Sequence, residues 1–267
     1  MMTYLYLIAL VLSIGTVLIA NYTDLRERII PNKLTYPMIV AGIALHLLFG
    51  VFQRDLIVAV RGGFGAGLAF GIGYGMYLTG GWAGGDVKLF TALGALLPVY
   101  SPPFNLPYST AFPPYATFYP LFPVTLLFNS VIIVLPVFLI FALISKIRGE
   151  GIFYNIVKIS NLEEGMIPAE IIYEKDGEFE RYEAGYLGFI SRKVGTPDWD
   201  RRLTDPDKAA GVSQEQVDLL KELVEEEKLE DEIKIKRGTP FAPAFGAGLF
   251  IGLFYGGLYW KLILLLI

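Results

Sequence analysis

Outside one polar stretch, the chain carries four acidic side chains: Asp24, Glu27, Asp55 and Asp86. An ionisable group at membrane depth is costly, so each is a functional candidate by default. Asp24 closes the first apolar run, and Asp86 lies in Gly84-Gly85-Asp86-Val87-Lys88, between two further apolar runs. Two carboxylates that share a site of low dielectric cannot both ionise easily. One keeps its proton, so the pair supplies a general base and a general acid together. The base would activate water against a carbonyl, and the acid would protonate the leaving amine. The glycines before Asp86 let a substrate backbone come close and permit non-helical conformations beside the carboxylate. The structural alternative is that Asp24 caps a helix or pairs with Arg26 or Arg28, and that Asp86 caps the helix it opens. On the residues alone the two readings stand about level.

Other chemistries are restricted by composition. There is no cysteine and a single histidine, His46, which excludes disulfides, thiolate zinc sites, Cys nucleophiles and His-rich metal clusters. No cofactor, metal or nucleic-acid partner is expected. His46 lies within an apolar helix and far from any serine motif, where it reads as a buried, hydrogen-bonded side chain.

The elements that must position the two aspartates are membrane helices. The chain has 267 residues, of which 54% are hydrophobic, and a mean hydropathy of +0.52, which is too apolar for an ordinary soluble domain. Of 48 Asp, Glu, Lys and Arg residues, 36 lie between Arg148 and Arg237. This is the distribution of a membrane protein carrying one polar insert. Apolar segments at 3–20, 34–50, 62–79, 87–99, 120–145 and 241–260 predict six transmembrane helices. Pro37 is expected in the first turn of the second, with a kink at Pro136 in the fifth. Gly63, Gly67, Gly71 and Gly75 in the third span, and Gly248, Gly252 and Gly256 in the last, recur every four residues and predict helix-packing seams. Residues 100–119 hold five prolines and no charge, and read as an outer loop on the interface. With both termini outside, Arg26, Arg28, Lys33, Lys88, Lys146, Arg148 and Arg237 fall on the cytoplasmic side. Arg54, Arg61 and Lys261 are the exceptions, accounted for by snorkelling. Asn21-Tyr22-Thr23 matches a glycosylation sequon, but at the cytoplasmic edge it carries little weight.

The predicted organisation is therefore an all-α polytopic membrane protein with a small α+β cytoplasmic domain inserted before the last helix. Its parts are 1–147 with both aspartates, the insert 148–238, and 239–267. Within the insert, Asp176-Gly177 predicts a hairpin between Ala169–Tyr173 and Phe179–Tyr182. Ser213 and Gln216 form a capping box opening an amphipathic helix to about Leu229, and Ile233–Lys236 alternates like a strand. The insert holds 22 acids against 14 bases, a balance that is usually just a solvated surface, the alternative being a potential that attracts a basic peptide.

Asp24-Leu25-Arg26-Glu27-Arg28-Ile29-Ile30-Pro31-Asn32-Lys33-Leu34-Thr35 resembles the first aspartate motif of the prepilin peptidases, D-x-R…I-P-N-x-L-T. Ala83-Gly84-Gly85-Asp86-Val87-Lys88-Leu89 is similar to their G-x-G-D-V-K-L motif, with Ala83 in place of the leading glycine. Arg237-Gly238-Thr239-Pro240-Phe241-Ala242-Pro243 resembles their I-P-F-G-P segment. The insert, around Asn161–Pro168 and Gly211–Leu229, resembles more loosely the C-terminal region of the archaeal prepilin and preflagellin peptidases. The cysteine zinc motif of the bacterial members is missing, so their N-methylation of mature pilin is not expected.

The resemblance implies an archaeal-type aspartic endopeptidase in the cell membrane. It would cut the short basic leader from pilin-like or archaellin precursors at the cytoplasmic face, with lipids as its other partner. Asp24 and Asp86 carry over as the catalytic pair, either one being acid or base. Arg26, Pro31, Asn32, Gly84, Gly85, Lys88, Pro240, Phe241 and Pro243 carry over as supporting motif residues. Lys88 either meets phosphate headgroups or tunes Asp86, and Arg26, Pro31 and Asn32 shape the turn after the first helix. The alternatives are a protease of the presenilin or signal-peptide-peptidase type, and a small transporter or assembly factor whose aspartates bind cations or stabilise packing.

Overall fold

The computed structural model describes residues 2–78, 81–99, 121–148, 151, 154–182, 197–206, 208, 211–236 and 241–259. Its helices are α1 (Met2–Glu27), α2 (Asn32–Gln53), α3 (Leu56–Leu78), α4 (Gly84–Leu96), α5 (Phe122–Arg148), α6 (Gln214–Glu225) and α7 (Ala242–Phe254). The chain divides into two compact units, one of Met1–Phe138 with Pro240–Ile267, the other of Leu139–Thr239.

Four helical stretches among the described residues are long and apolar enough to cross a membrane: Leu7–Glu27, Asn32–Gln53, Leu56–Leu78 and Phe122–Arg148. The fold is mostly helical with a small sheet region, and among the described residues the six expected spans reduce to four of that length. The fourth and sixth expected spans correspond to α4 and α7, each of 13 residues. At about 1.5 Å per residue such a helix is roughly 20 Å long, short of the ~30 Å hydrocarbon layer. An apolar run alone does not distinguish a lipid-facing helix from one enclosed by other helices. Here α4 is enclosed: Asp86, Val87 and every residue from Leu89 to Leu96 are buried, with α1, α2, α3 and α7 packed around it. It stops at Leu97 (φ −124°, ψ 65°), because the following Pro98 excludes helical geometry from the residue before it.

The helix boundaries shift in ways that matter for the site. Rather than ending near residue 20, α1 continues to Glu27, so Asp24 occupies its last turn. Arg28 ends it with a left-handed φ of 56°, its N–H donating to the Asp24 carbonyl at 3.1 Å. Pro31 is the N-cap of α2, and its carbonyl accepts from the N–H groups of Leu34 (3.0 Å) and Thr35 (3.2 Å). Pro37 consequently lies inside α2, beyond its first turn. Around Pro136, α5 is continuous. The proline-rich segment 100–119 lies outside the described residues.

The seam on α3 is not the expected one. A Cβ added at Gly63, Gly67, Gly71 or Gly75 would meet nothing within 4 Å. The packed face is Gly62, Gly65, Ala66, Ala69 and Gly73. A Cβ at Gly65 would lie 2.2 Å from the Gly94 carbonyl of α4, and one at Gly42 of α2 would lie 2.5 Å from the Ala95 backbone. Four-residue spacing puts glycines on one face, but the spacing does not say which face turns inward. The last helix does use its glycines. Gly248 approaches Ser130 and Gly252 approaches Phe122, both on α5. Gly256 instead ends α7 with φ 86°, and its carbonyl accepts from Asn129 Nδ2 at 2.9 Å. His46 is buried, with Nδ1 bonded to the Gly42 carbonyl at 2.9 Å.

In the second unit, β1 (Tyr154–Val157) pairs antiparallel with β5 (Ile233–Lys236). A separate sheet has the order β3-β2-β4, with β2 (Ile171–Lys175), β3 (Glu178–Tyr182) and β4 (Arg201–Arg202). Asp176 (φ 53°) and Gly177 (φ 84°) close the hairpin, the two positive φ values that a tight two-residue turn needs. The capping box forms as expected: Ser213 N–H donates to Gln216 Oε1 at 3.0 Å, and the Gln216 N–H returns to Ser213 Oγ at 3.4 Å. The helix it opens, α6, ends at Glu225. Buried Glu170 joins the two sheets, accepting from the Lys234 N–H at 2.8 Å and pairing with Arg181 at 3.4 Å.

The packing on α3 yields opposed outcomes for one substitution. Gly65→Ala forces backbone apart and should cost about 1–3 kcal/mol. Gly63→Ala meets nothing and should be neutral or stabilising by up to about 1 kcal/mol. Thermal unfolding in detergent checks both, and equal effects would contradict this helix register.

Candidate active site

The four acids outside the insert separate by environment. Asp55 caps α3, its Oδ1 accepting from the N–H groups of Ile57 (2.9 Å) and Val58 (3.2 Å). Glu27 is exposed at the end of α1. Asp24 and Asp86 are buried, at 7% and 6% exposure. Their helices α1 and α4 pack together, bringing the carboxylates close enough for the charge of one to act on the other.

Each carboxylate is held by a helix start. Asp86 Oδ2 accepts from the N–H of Ala83, the N-cap of its own helix, at 2.9 Å. Asp24 Oδ2 accepts from the N–H of Ala242, the first residue of α7, at 3.1 Å. Those N–H groups have no partner within their helices, and the positive end of the helix dipole favours an anion there. Arg28 lies near enough for its charge to act on Asp24. Arg26 donates to the Tyr22 hydroxyl and lies over that ring at 5.8 Å.

Three contacts fix the start of α4 against its neighbours. Trp82, Phe90, Phe241 and Phe245 form an aromatic cluster, with Trp82–Phe245 centroids 5.1 Å apart, Trp82–Phe90 5.4 Å, and Phe90 stacked on Phe245 at 5.4 Å. It ties the start of α4 to the start of α7. Gly85 gives up its side chain to Ile30, where a Cβ would lie 3.1 Å from the isoleucine Cβ, while Gly84 faces open space. Of the two glycines expected to admit a substrate backbone, only Gly84 leaves that room. Finally, Lys88 Nζ donates to Asn32 Oδ1 at 2.7 Å and sits 5.5 Å from the centre of the Tyr36 ring. Lys88 therefore joins the two aspartate motifs directly.

Of the other expected residues, Phe241 is the N-cap of α7, Pro243 lies in its first turn, and Pro240 lies outside the described residues. Sequence reasoning missed Trp82, Phe90 and Phe245. The legible signal was the Phe241–Phe245 spacing of four, which puts both rings on one helix face. Among the described residues no group of three or more His, Cys, Asp or Glu side chains is placed to hold a metal ion.

Comparison with known proteins follows the same residues. Residues 10–139 match the Type IV leader peptidase family. Residues 129–235 match the Archaeal Peptidase A24 C-terminal Domain. The family likeness thus lies in residues 10–139, and the protein is a peptidase. It is 26% identical to the prepilin peptidase EppA of Methanothermobacter thermautotrophicus, over 90% of this chain and 92% of that protein. It is 34% identical to a preflagellin peptidase of Methanococcus voltae over 52% of this chain and 60% of the relative. For a preflagellin peptidase of Methanocaldococcus jannaschii the identity is 31%, over 49% and 55%. The family match on residues 10–139 contains both aspartates.

The Lys88–Asn32 bond is testable by a double-mutant cycle. Lys88→Met and Asn32→Ala should each lower stability in detergent, and the double variant should lose about 0.5–1.5 kcal/mol less than their sum. Strict additivity would mean that the two motifs are not joined through this pair.

Proposed function

We propose that this leader peptidase is an intramembrane aspartic endopeptidase that uses Asp24 and Asp86 as its catalytic pair. The observation that carries the reading is two buried carboxylates on neighbouring helices, each fixed through one oxygen by a backbone N–H. A carboxylate held this way cannot turn freely, so its remaining oxygen keeps a defined direction. Mutual repulsion in a buried site leaves one of the pair protonated. The ionised partner takes a proton from water as the water attacks the scissile carbonyl. The protonated partner gives its proton to the departing amine, and the pair has then exchanged roles.

The substrates on this reading are pilin-like or archaellin precursors, cut between a short basic leader and the hydrophobic helix behind it. The names of the relatives support this. The cut falls at the cytoplasmic face, in a six-segment arrangement with both termini outside and α4 and α7 as its short inner helices. The basic residues Arg26, Arg28, Lys33 and Lys88, near the ends of the helices that carry the site, support that orientation. The soluble region 148–238 then lies on the same side as the leader, and its excess of acids favours encounter with a basic segment.

The same two backbone bonds are what a purely structural pair would make, and Asp→Asn substitution separates the two roles. An Asn oxygen still accepts the N–H of Ala83 or Ala242, so the fold survives; the carboxylate chemistry does not. Asp24→Asn and Asp86→Asn should each slow precursor cleavage at least about 100-fold with little change in thermal midpoint. Product mass locates the cut, and cleavage persisting in either variant would remove that residue from the pair. Neutralising exposed acids of the insert should lower kcat/KM at low salt and flatten its salt dependence. Unchanged kinetics would discard the electrostatic role of the insert.

A further inference from the structure

We infer that Asn21 is a positioning residue for Asp24, acting through the backbone of Ala242. The inference rests on the reading of Asp24 as catalytic. Asn21 precedes Asp24 by three residues in α1, so both lie on one helix face. With its amide nitrogen turned toward α7, Asn21 donates to the Ala242 carbonyl at 2.6 Å and to the Val17 carbonyl at 3.2 Å. The reverse orientation would set its oxygen against those carbonyl oxygens. Ala242 is thereby gripped at both ends of one residue, its N–H by Asp24 at 3.1 Å and its carbonyl by Asn21.

A second observation shows that α7 is built to receive this side chain. A Cβ at Gly246 would lie 2.3 Å from the other terminal amide atom of Asn21, its oxygen in this orientation, and 3.2 Å from Val17 Cγ1. Glycine at 246 is what lets Asn21 reach the Ala242 carbonyl one turn away. Val17, Asn21 and Asp24 follow the i, i+4, i+7 stripe of α1, and Ala242, Gly246 and Leu249 form the facing stripe of α7. Of these six, Asn21 and Asp24 alone carry polar side chains, and both are spent on one residue. Without Asn21 the Ala242 peptide planes can rotate, its N–H leaves Asp24 Oδ2, and the carboxylate loses the direction in which it must face water.

The experiment uses the full chain, purified in detergent, and a precursor with a basic leader ahead of a hydrophobic helix. It measures kcat, KM and thermal midpoint for wild type, Asn21→Ala, Asn21→Asp and Asp24→Asn across a pH range. Asn21→Ala should lower kcat about 10- to 100-fold and leave KM within about twofold, the signature of a misplaced reacting group. Asn21→Asp places an acceptor against a carbonyl when ionised and a donor when protonated. Its activity relative to Asn21→Ala should therefore rise as pH falls, a response that loss of packing alone does not give. Wild-type kcat in Asn21→Ala, with Asp24→Asn inactive, would overturn the inference and leave the aspartic mechanism standing. So would a constant ratio of the two Asn21 variants at every pH. Activity surviving in Asp24→Asn would instead remove the reading on which the inference rests.

Discussion

A helix that begins inside an apolar interior leaves N–H groups without helical partners, and leaving them bare costs more than any single packing contact gains. Two helices of this protein begin that way. The N–H groups at the starts of α4 and α7 find their acceptors on Asp86 and Asp24. The requirement is mutual, because a buried carboxylate also needs donors. The interaction that closes the helix ends is thus the one that orients the carboxylates, and the stability of the bundle and the geometry of the site rest on the same bonds.

The rest of the membrane unit brings those helix starts together. Lipid tails are as apolar as the helices, so close packing must replace the hydrophobic effect as the force between them. The protein achieves it where it matters by removing side chains: Gly42, Gly62 and Gly65 let α2 and α3 close on one another and on α4. The aromatic cluster at the other end of α4 does the opposite, filling the angle between α4 and α7 with large rings in edge and stacked contact. Bare backbone on one flank and bulky rings on the other hold α4 in a single position.

Much of this was legible in the sequence, for reasons that can be named. Asp24 and Asp86 stood out because acids are scarce in apolar sequence, and local devices read true: the Asp176-Gly177 hairpin, the Ser213–Gln216 capping box and the Ile233–Lys236 strand each depend on neighbours in the chain. Failures came where the outcome depends on tertiary surroundings. The run 87–99 is apolar on all sides, which fits a lipid-facing helix and an enclosed one equally. The glycines of α3 define two candidate faces, Gly63-67-71-75 and Gly62-65-73, and the more regular one turned outward. Asn21 carried a sequon reading, and nothing in its local sequence points to a partner on the last helix.

The Asp24–Ala242 bond spans 218 residues of chain. During synthesis α1 is made long before the residue that anchors its carboxylate, so the emerging polypeptide holds an unsecured acid until α7 has been made. The Asp24 carboxylate therefore gains its fixed direction only when α7 docks on α1, whatever the order in which the helices between them fold.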